Sequence, residues 1–196
     1  MLSAEASLLT APGAAMTTAP ADPARLREAV IAHHGALWRA LRRLGVAEAD
    51  VDDALQDVFL VAARKLGGVP VEGERAFLYG VAVRVASNAR RGARRHTEIF
   101  ADAPHAEASA DVLAPDEVLV QRETRRLLDV ALDEMPFELR TVFVLLELEE
   151  LSMAEVAELI GVPQGTVASR MRRARERFSE IARRLRVRVS RGRERA

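Results

Sequence analysis

The densest run of chemistry-bearing side chains lies between Gly161 and Phe178, "GVPQGTVASRMRRARERF", where Arg170, Arg172, Arg173, Arg175 and Arg177 stand against one acid, Glu176. A guanidinium stays protonated and has no acid–base work to do near neutral pH. Its chemistry is recognition, because its planar fork bonds phosphate oxygens, or the O6 and N7 of guanine, in pairs. The opposite chemistry sits earlier, where Asp50, Asp52, Asp53 and Asp57 surround Gln56. Such an acidic, hydrogen-bonding face suits a basic partner and steers its approach, although the macrodipole also favours acids near a helix start. A third cluster runs from Arg84 to Arg95, with five arginines and no acid, shortly after Phe77 and Tyr79. Aromatic rings beside cations can stack unpaired bases, although rings at this spacing also serve as core. No nucleophile–base pair, phosphate loop or metal-ligand spacing accompanies these groups, so neither an enzyme nor a cofactor is expected. The chain has no cysteine, and its four histidines fall in no zinc-binding pattern.

These groups need elements to hold them. The 196 residues balance 29 basic against 29 acidic side chains, yet the signs are segregated. Residues 98–117 carry acids and no Lys or Arg, whereas arginine dominates after Arg170. Segregation of this kind points to a nucleic-acid face and a separate partner face. Ala, Leu, Val, Arg and Glu are common and aromatics are few, which favours helix. Apolar spacing predicts helices from about Pro23 to Leu44, Ala47 to Leu66 and Glu74 to Arg91. Gly45, and then Gly67, Gly68 and Pro70, interrupt them. Residues 96–115 lose the helical period and read as a flexible linker. Helical spacing resumes after Pro115 and breaks at Pro136. The expected fold is all-α: two small helical domains, 24–95 and 116–186, joined by that linker. A disordered tail, 1–23, precedes them and a basic tail, 187–196, follows. No apolar run approaches the roughly 20 residues that span a bilayer, and the N-terminus lacks the positive region of a signal peptide. A cytoplasmic protein without membrane insertion is expected.

The arginine-rich stretch has its own local grammar. Ser152 and Glu155 have capping-box spacing. Val156, Leu159 and Ile160 give the helix they start an apolar side. Gly161 suits a left-handed helix end and Pro163 the first turn of a following helix. In that second helix Val167, Met171, Ala174, Phe178, Ile181 and Leu185 form one stripe. Thr166, Ser169, Arg170, Arg172, Arg173 and Arg177 are then left to face outward. A short helix, a tight turn and a basic second helix make a helix-turn-helix, whose second helix enters the major groove.

The stretch "LSMAEVAELIGVPQGTVASRMRRARERF" resembles region 4 of sigma-70 family transcription initiation factors. Its marks are Gly165 to Arg170 and Arg173 to Arg175. "ADVDDALQDVFLVAARKL" resembles region 2.2, with the core Asp53, Gln56, Asp57 and Phe59. "FLYGVAVRVASNARRGARR" resembles regions 2.3 and 2.4. The order of these parts is similar to the extracytoplasmic-function (ECF) group. The resemblance implies a non-enzymatic sigma factor that recruits core RNA polymerase to promoter DNA. It implies that Asp52, Asp53, Gln56 and Asp57 dock on the clamp helices of the largest subunit, with a second contact at the beta flap. It implies minus-10 DNA contacts by Phe77, Tyr79, Arg84, Asn88, Arg90 and Arg91. Minus-35 contacts would come from Gln164, Thr166, Ser169, Arg170, Arg172 and Arg173, and an anti-sigma factor would provide control. Arg84 stands where the family commonly has Asn, and Ala168 where Lys or Arg is frequent. An ordinary dimeric helix-turn-helix regulator and a structural adaptor are the competing readings. The first would bind an operator without polymerase.

Overall fold

The computed structural model describes residues 19–99 and 116–193, with side chains over 19–92 and 124–186. The expected linker positions 100–115 and the outer parts of both tails lie outside the described residues. Those residues are all helical or loop, with no strand among them.

Three helices form the first half. Helix α1 (Pro23–Arg43) opens on a proline, which needs no N–H there, and ends on Arg42 and Arg43, which suit the negative end of the helix dipole. Helix α2 (Val51–Lys65) buries Val51, Ala54, Leu55, Val58 and Ala62 and has Asp52 and Asp53 in its first turn. Helix α3 (Glu74–Ile99) runs beyond the expected end at Arg91. Leu37, Leu41, Leu44, Leu66 and Leu78 are wholly buried among these helices, each contributing about 2 kcal/mol of apolar transfer. Two polar links fix the packing. The indole N–H of Trp38 donates to Asp52 Oδ1 at 3.0 Å. Arg25 Nε donates to Glu74 Oε2 at 3.0 Å, with His33 Nε2 3.6 Å from the other oxygen of Glu74.

Four helices form the second half: α4 (Asp116–Asp133), α5 (Phe137–Phe143), α6 (Met153–Ile160) and α7 (Gln164–Arg193). Helix α5 does not stay α-helical past Phe143. It widens into a π turn over Val144–Leu148. The chain then turns at Glu150, a non-glycine residue with φ 52°. The wide turn and the left-handed residue together reset the direction of the chain before α6. Helix α7 is continuous through Arg193, past the expected start of a tail. Val142, Leu145, Val156, Ile160, Val167, Met171, Ala174 and Ile181 make this half's core, and Phe143 stacks on Phe178 at 4.8 Å. No described helix is long and apolar enough to cross a membrane.

The two halves touch directly. Helix α3 packs on α6, and the end of α1 on α4. Arg140 of α5 is buried (2% exposed), bonds Asp133 Oδ1 at 3.0 Å, and lies against Gly45. The φ of +91° there favours glycine, and an added Cβ would also displace the Arg140 guanidinium.

The expected capping box is present in full. Glu155 N–H donates to Ser152 Oγ at 3.2 Å, and Ser152 N–H donates to a Glu155 carboxylate oxygen at 2.7 Å. Ser152→Ala should cost about 1 kcal/mol in a urea melt. Its hydrogen bonds hold the Glu155 carboxyl below its ordinary 4.5. A lowered folded value stabilises above the unfolded pKa and is lost as acid carries the pH down through the folded one. The stability gap between the protein and Glu155→Gln should therefore be full near neutrality and close in acid. A gap independent of pH would refute the cap's ionic character.

Candidate nucleic-acid interface

The helix-turn-helix is built as its sequence requires. Gly161 closes α6 at φ 69° and ψ 41°, a left-handed conformation that costs glycine nothing. The N–H of Val162 returns to Ala157 O at 3.1 Å. Pro163 then leads into α7, its carbonyl accepting from Thr166 N–H at 2.8 Å. With Val167, Met171 and Ala174 buried, Gln164, Ala168, Ser169, Arg172 and Arg173 are exposed along the outer face. Thr166 and Arg170 are half-buried at its edge.

The arginines on this helix are not equivalent. Arg170 pairs with Glu138 of α5 at 3.5 Å, Arg172 with Glu176 at 3.3 Å, and Arg177 with Glu180 at 2.8 Å. Arg175 reaches Glu147 in the π turn through Nε at 2.8 Å and Nη2 at 2.5 Å. Arg184 pairs with Glu134. Arg173 is exposed and has no ion pair among the described residues. Of the expected outer cations it alone is free for a ligand in this arrangement. Ser169 Oγ donates to Thr166 O at 2.9 Å, which leaves the hydroxyl's lone pairs outward.

Helix α3 divides its expected contacts between two faces. Phe77, Arg84, Asn88 and Arg91 recur at spacings of seven, four and three, and so share one side of the helix. Arg84 and Asn88 are exposed, and Arg91 donates to Asn88 Oδ1. Tyr79 lies on the opposite side and is 2% exposed. Its hydroxyl donates to Glu149 Oε2 at 2.5 Å. Burial, then the Glu149 carboxylate, pushes its pKa well above the ordinary 10. Arg90 also turns inward, its guanidinium 4.7 Å above the Phe137 ring. The structure thus assembles Arg84, Asn88 and Arg91 at the surface and holds Tyr79 and Arg90 against the second half.

On α2, Asp52, Asp53, Gln56 and Asp57 are all exposed on one side, opposite the buried Val51, Ala54, Leu55 and Val58. Leu60, 48% exposed, extends the same face by one turn. The sequence reading missed Leu60, although its spacing of four from Gln56 was visible. It also missed Glu149, Arg43 and Arg75, which meet from distant segments. Among the described residues no acidic or histidine cluster could hold a metal.

Comparison with known proteins places these parts. A family model described as sigma-70, region 4, matches residues 125–178. The ECF RNA polymerase sigma factor SigM of Mycobacterium tuberculosis (strain H37Rv) is 33% identical over 154 residues, covering 76% of this chain and 72% of the relative. The ECF RNA polymerase sigma-E factor of Escherichia coli (strain K12) is 34% identical over 142 residues, covering 67% of this chain and 73% of the relative. Two solved structures share the fold. CnrH in complex with the cytosolic domain of CnrY has TM-score 0.59 and 24% identity, covering 82% of this chain and 88% of that one. RpoE of Bartonella quintana, in complex with the anti-sigma factor NepR, has TM-score 0.62 and 20% identity, covering 81% and 97%. With a helix-turn-helix in the matched region and relatives of this identity along most of its length, the chain belongs to the ECF group of sigma-70 family RNA polymerase sigma factors, non-enzymatic factors of transcription initiation.

Proposed function

We propose that residues 24–95 act as region 2, which binds core RNA polymerase and the minus-10 element, and residues 116–186 as region 4, which reads minus-35. The observation that carries this reading is the separation of charge between two exposed helix faces. The α2 face offers Asp52, Asp53 and Asp57 with Gln56 and Leu60, and no base before Arg64 in the last turn. It is a docking face for a basic coiled coil such as the polymerase clamp helices, with the apolar Leu60 supplying a desolvated contact. The outer face of α7 offers Gln164, Ser169, Arg172 and Arg173 to a major groove.

Roles follow from the geometry of each group. Arg173, unpaired and exposed, is the base-reading cation. Arg170 and Arg172, each tied to a glutamate, are phosphate contacts that must exchange partners. On α3, Arg84 and Arg91 hold phosphates on either side of Asn88, and Phe77 and Tyr79 stack bases once α3 is uncovered. The second polymerase contact is region 4 on the beta flap. Anti-sigma control is supported by the partners printed for CnrH and for Bartonella RpoE. The site of action is the cytoplasm, where the polymerase is.

Purified protein should bind core RNA polymerase saturably and direct selective run-off transcripts from a genomic promoter library. Arg173→Ala should lower promoter-specific transcription about ten- to a hundred-fold, as expected for one lost bidentate base contact, while polymerase binding persists. Asp53→Ala and Gln56→Ala should instead weaken polymerase binding. If Arg173→Ala abolished polymerase binding, α7 would be a polymerase contact and the assignment would be wrong.

A further inference from the structure

We infer that residues 19–21 form a main-chain strap that ends α2 and sets where α3 begins, and so positions the promoter face of α3 relative to the polymerase face of α2. The inference rests on the proposed roles of those two faces and adds positioning residues to them, Gly67 foremost. The strap works through backbone groups. Ala21 N–H donates to Ala63 O at 2.9 Å, and Gly67 N–H donates to Ala19 O at 3.1 Å. In an uninterrupted α-helix Gly67 N–H would donate to Ala63 O, four residues back. The strap enters between these two groups and gives each a separate partner. It thereby satisfies one of the carbonyls that a helix C-terminus leaves open. The end of α6 meets the same demand with a left-handed glycine; α2 meets it with a distant piece of chain.

Gly67 is the residue that admits the strap. A Cβ there would collide with Pro20 O and stand 2.9 Å from both Ala19 O and Pro20 C. The three atoms nearest that Cβ thus all belong to the strap, and all are main chain, so no side-chain rotation clears them. Gly67 is not among the glycines with positive φ. Alanine therefore suits its own backbone and conflicts with the strap. Ala21 also packs its side chain against the buried core.

The consequence reaches α3. Between α2 and α3 the chain makes two short 3-10 turns, Leu66–Gly68 and Val71–Gly73. Leu66 and Val69 are buried beneath them, and Val71 stands exposed at the crest. The far end is held by α1, whose Arg25 and His33 both reach Glu74, the first residue of α3. Residues 19–33 therefore grip the α2–α3 connection at both ends. Without the strap, Gly67 N–H is released to bond Ala63 O. Helix α2 then gains residues and the connection loses them, at about 1.5 Å of axial rise for each. Polymerase holds α2 by Asp53, Gln56 and Asp57, so the displacement falls on Arg84, Asn88 and Arg91 and on the DNA they meet.

Two full-length variants undo the strap from opposite sides. Gly67→Ala expels it from its seat, and Ala21→Pro deletes the N–H that Ala63 O accepts. Each is tested as saturated holoenzyme on a promoter selected from the genomic run-off library, with opening followed by permanganate reactivity of unpaired thymines. Each should slow opening about ten-fold, as expected where a connection must be ordered again on binding, while affinity for core polymerase stays at the parental value. The double variant should be no slower than the slower single one, because both remove one contact. In the free protein, amide exchange at Gly67 should be slow in the parent and fast in Ala21→Pro. Should Gly67→Ala not fold, Ala21→Pro decides alone, since position 21 lies outside every helix. Parental opening rates in the folded variants, additive losses in the double variant, or fast Gly67 exchange in the parent would overturn the strap. Loss of polymerase binding in step with loss of opening would show that it merely supports α2 and would overturn its positioning role. No opening by any form, parent included, would instead refute the promoter reading, and exchange at Gly67 would then decide whether the strap exists.

Discussion

A carboxylate buried away from water must find donors for its oxygens or give up its charge to a proton, because leaving the charge unpaired costs several kcal/mol. Glu149 meets that demand with groups from α1 and α3, 106 and 70 residues earlier in the chain. Much of the present arrangement depends on this one solution. It decides which side of α3 is covered and places α6, the first helix of the DNA-binding motif, on the first half of the chain. It also explains the irregular backbone before α6. A regular α-helix through Val144–Leu148 would rotate Glu149 elsewhere, and the π turn supplies the missing rotation. Such turns are rare and recur at functional sites.

The two halves are nevertheless held together by few groups. Besides Glu149, they include Arg140 against Gly45, Arg90 over Phe137, and Leu159 against Gly80. Arginine supplies the cation in each polar contact. A guanidinium that stacks or lies flat on backbone remains charged and keeps its affinity for phosphate. The same groups that join the halves therefore keep their charge where they stand.

Much of this was legible in the sequence, and the reason is local physics. The inward stripes of α1, α2 and α7 follow from helical spacing. Ser152, Glu155, Gly161 and Pro163 specify the turn between α6 and α7 within twelve residues, with no help from the rest of the chain. The exposed set Asp52, Asp53, Gln56 and Asp57 follows from the buried set on the other side of the same helix. The turn of α3 toward the second half was not legible at Tyr79 and Arg90, because the cations and aromatics of that helix are set apart by angular position and not by residue type. Phe77 and Tyr79 are two residues apart and point in opposite directions. Glu149 had no local signal at all. It follows Glu147 and precedes Glu150 in an acidic run, and only partners distant in sequence distinguish it from a solvated neighbour.

The neutral net charge and the arginine-rich recognition helix are consistent once the ion pairs are counted by position. Arg172, Arg175 and Arg177 are exposed to varying degrees and hold Glu176, Glu147 and Glu180. Exposed pairs of this kind contribute about 0–1 kcal/mol each, so a phosphate can replace the glutamate at little net cost. It also gains little, since the field around the helix is partly cancelled by acids that travel with it. Arg173 escapes that cancellation, as the one arginine of the expected outer face with no ion pair among the described residues. Farther along α7, Arg183 and Arg186 are also exposed with no ion pair among the described residues, so the helix keeps unbalanced positive charge both near its first turns and beyond them, and that charge favours anions in general.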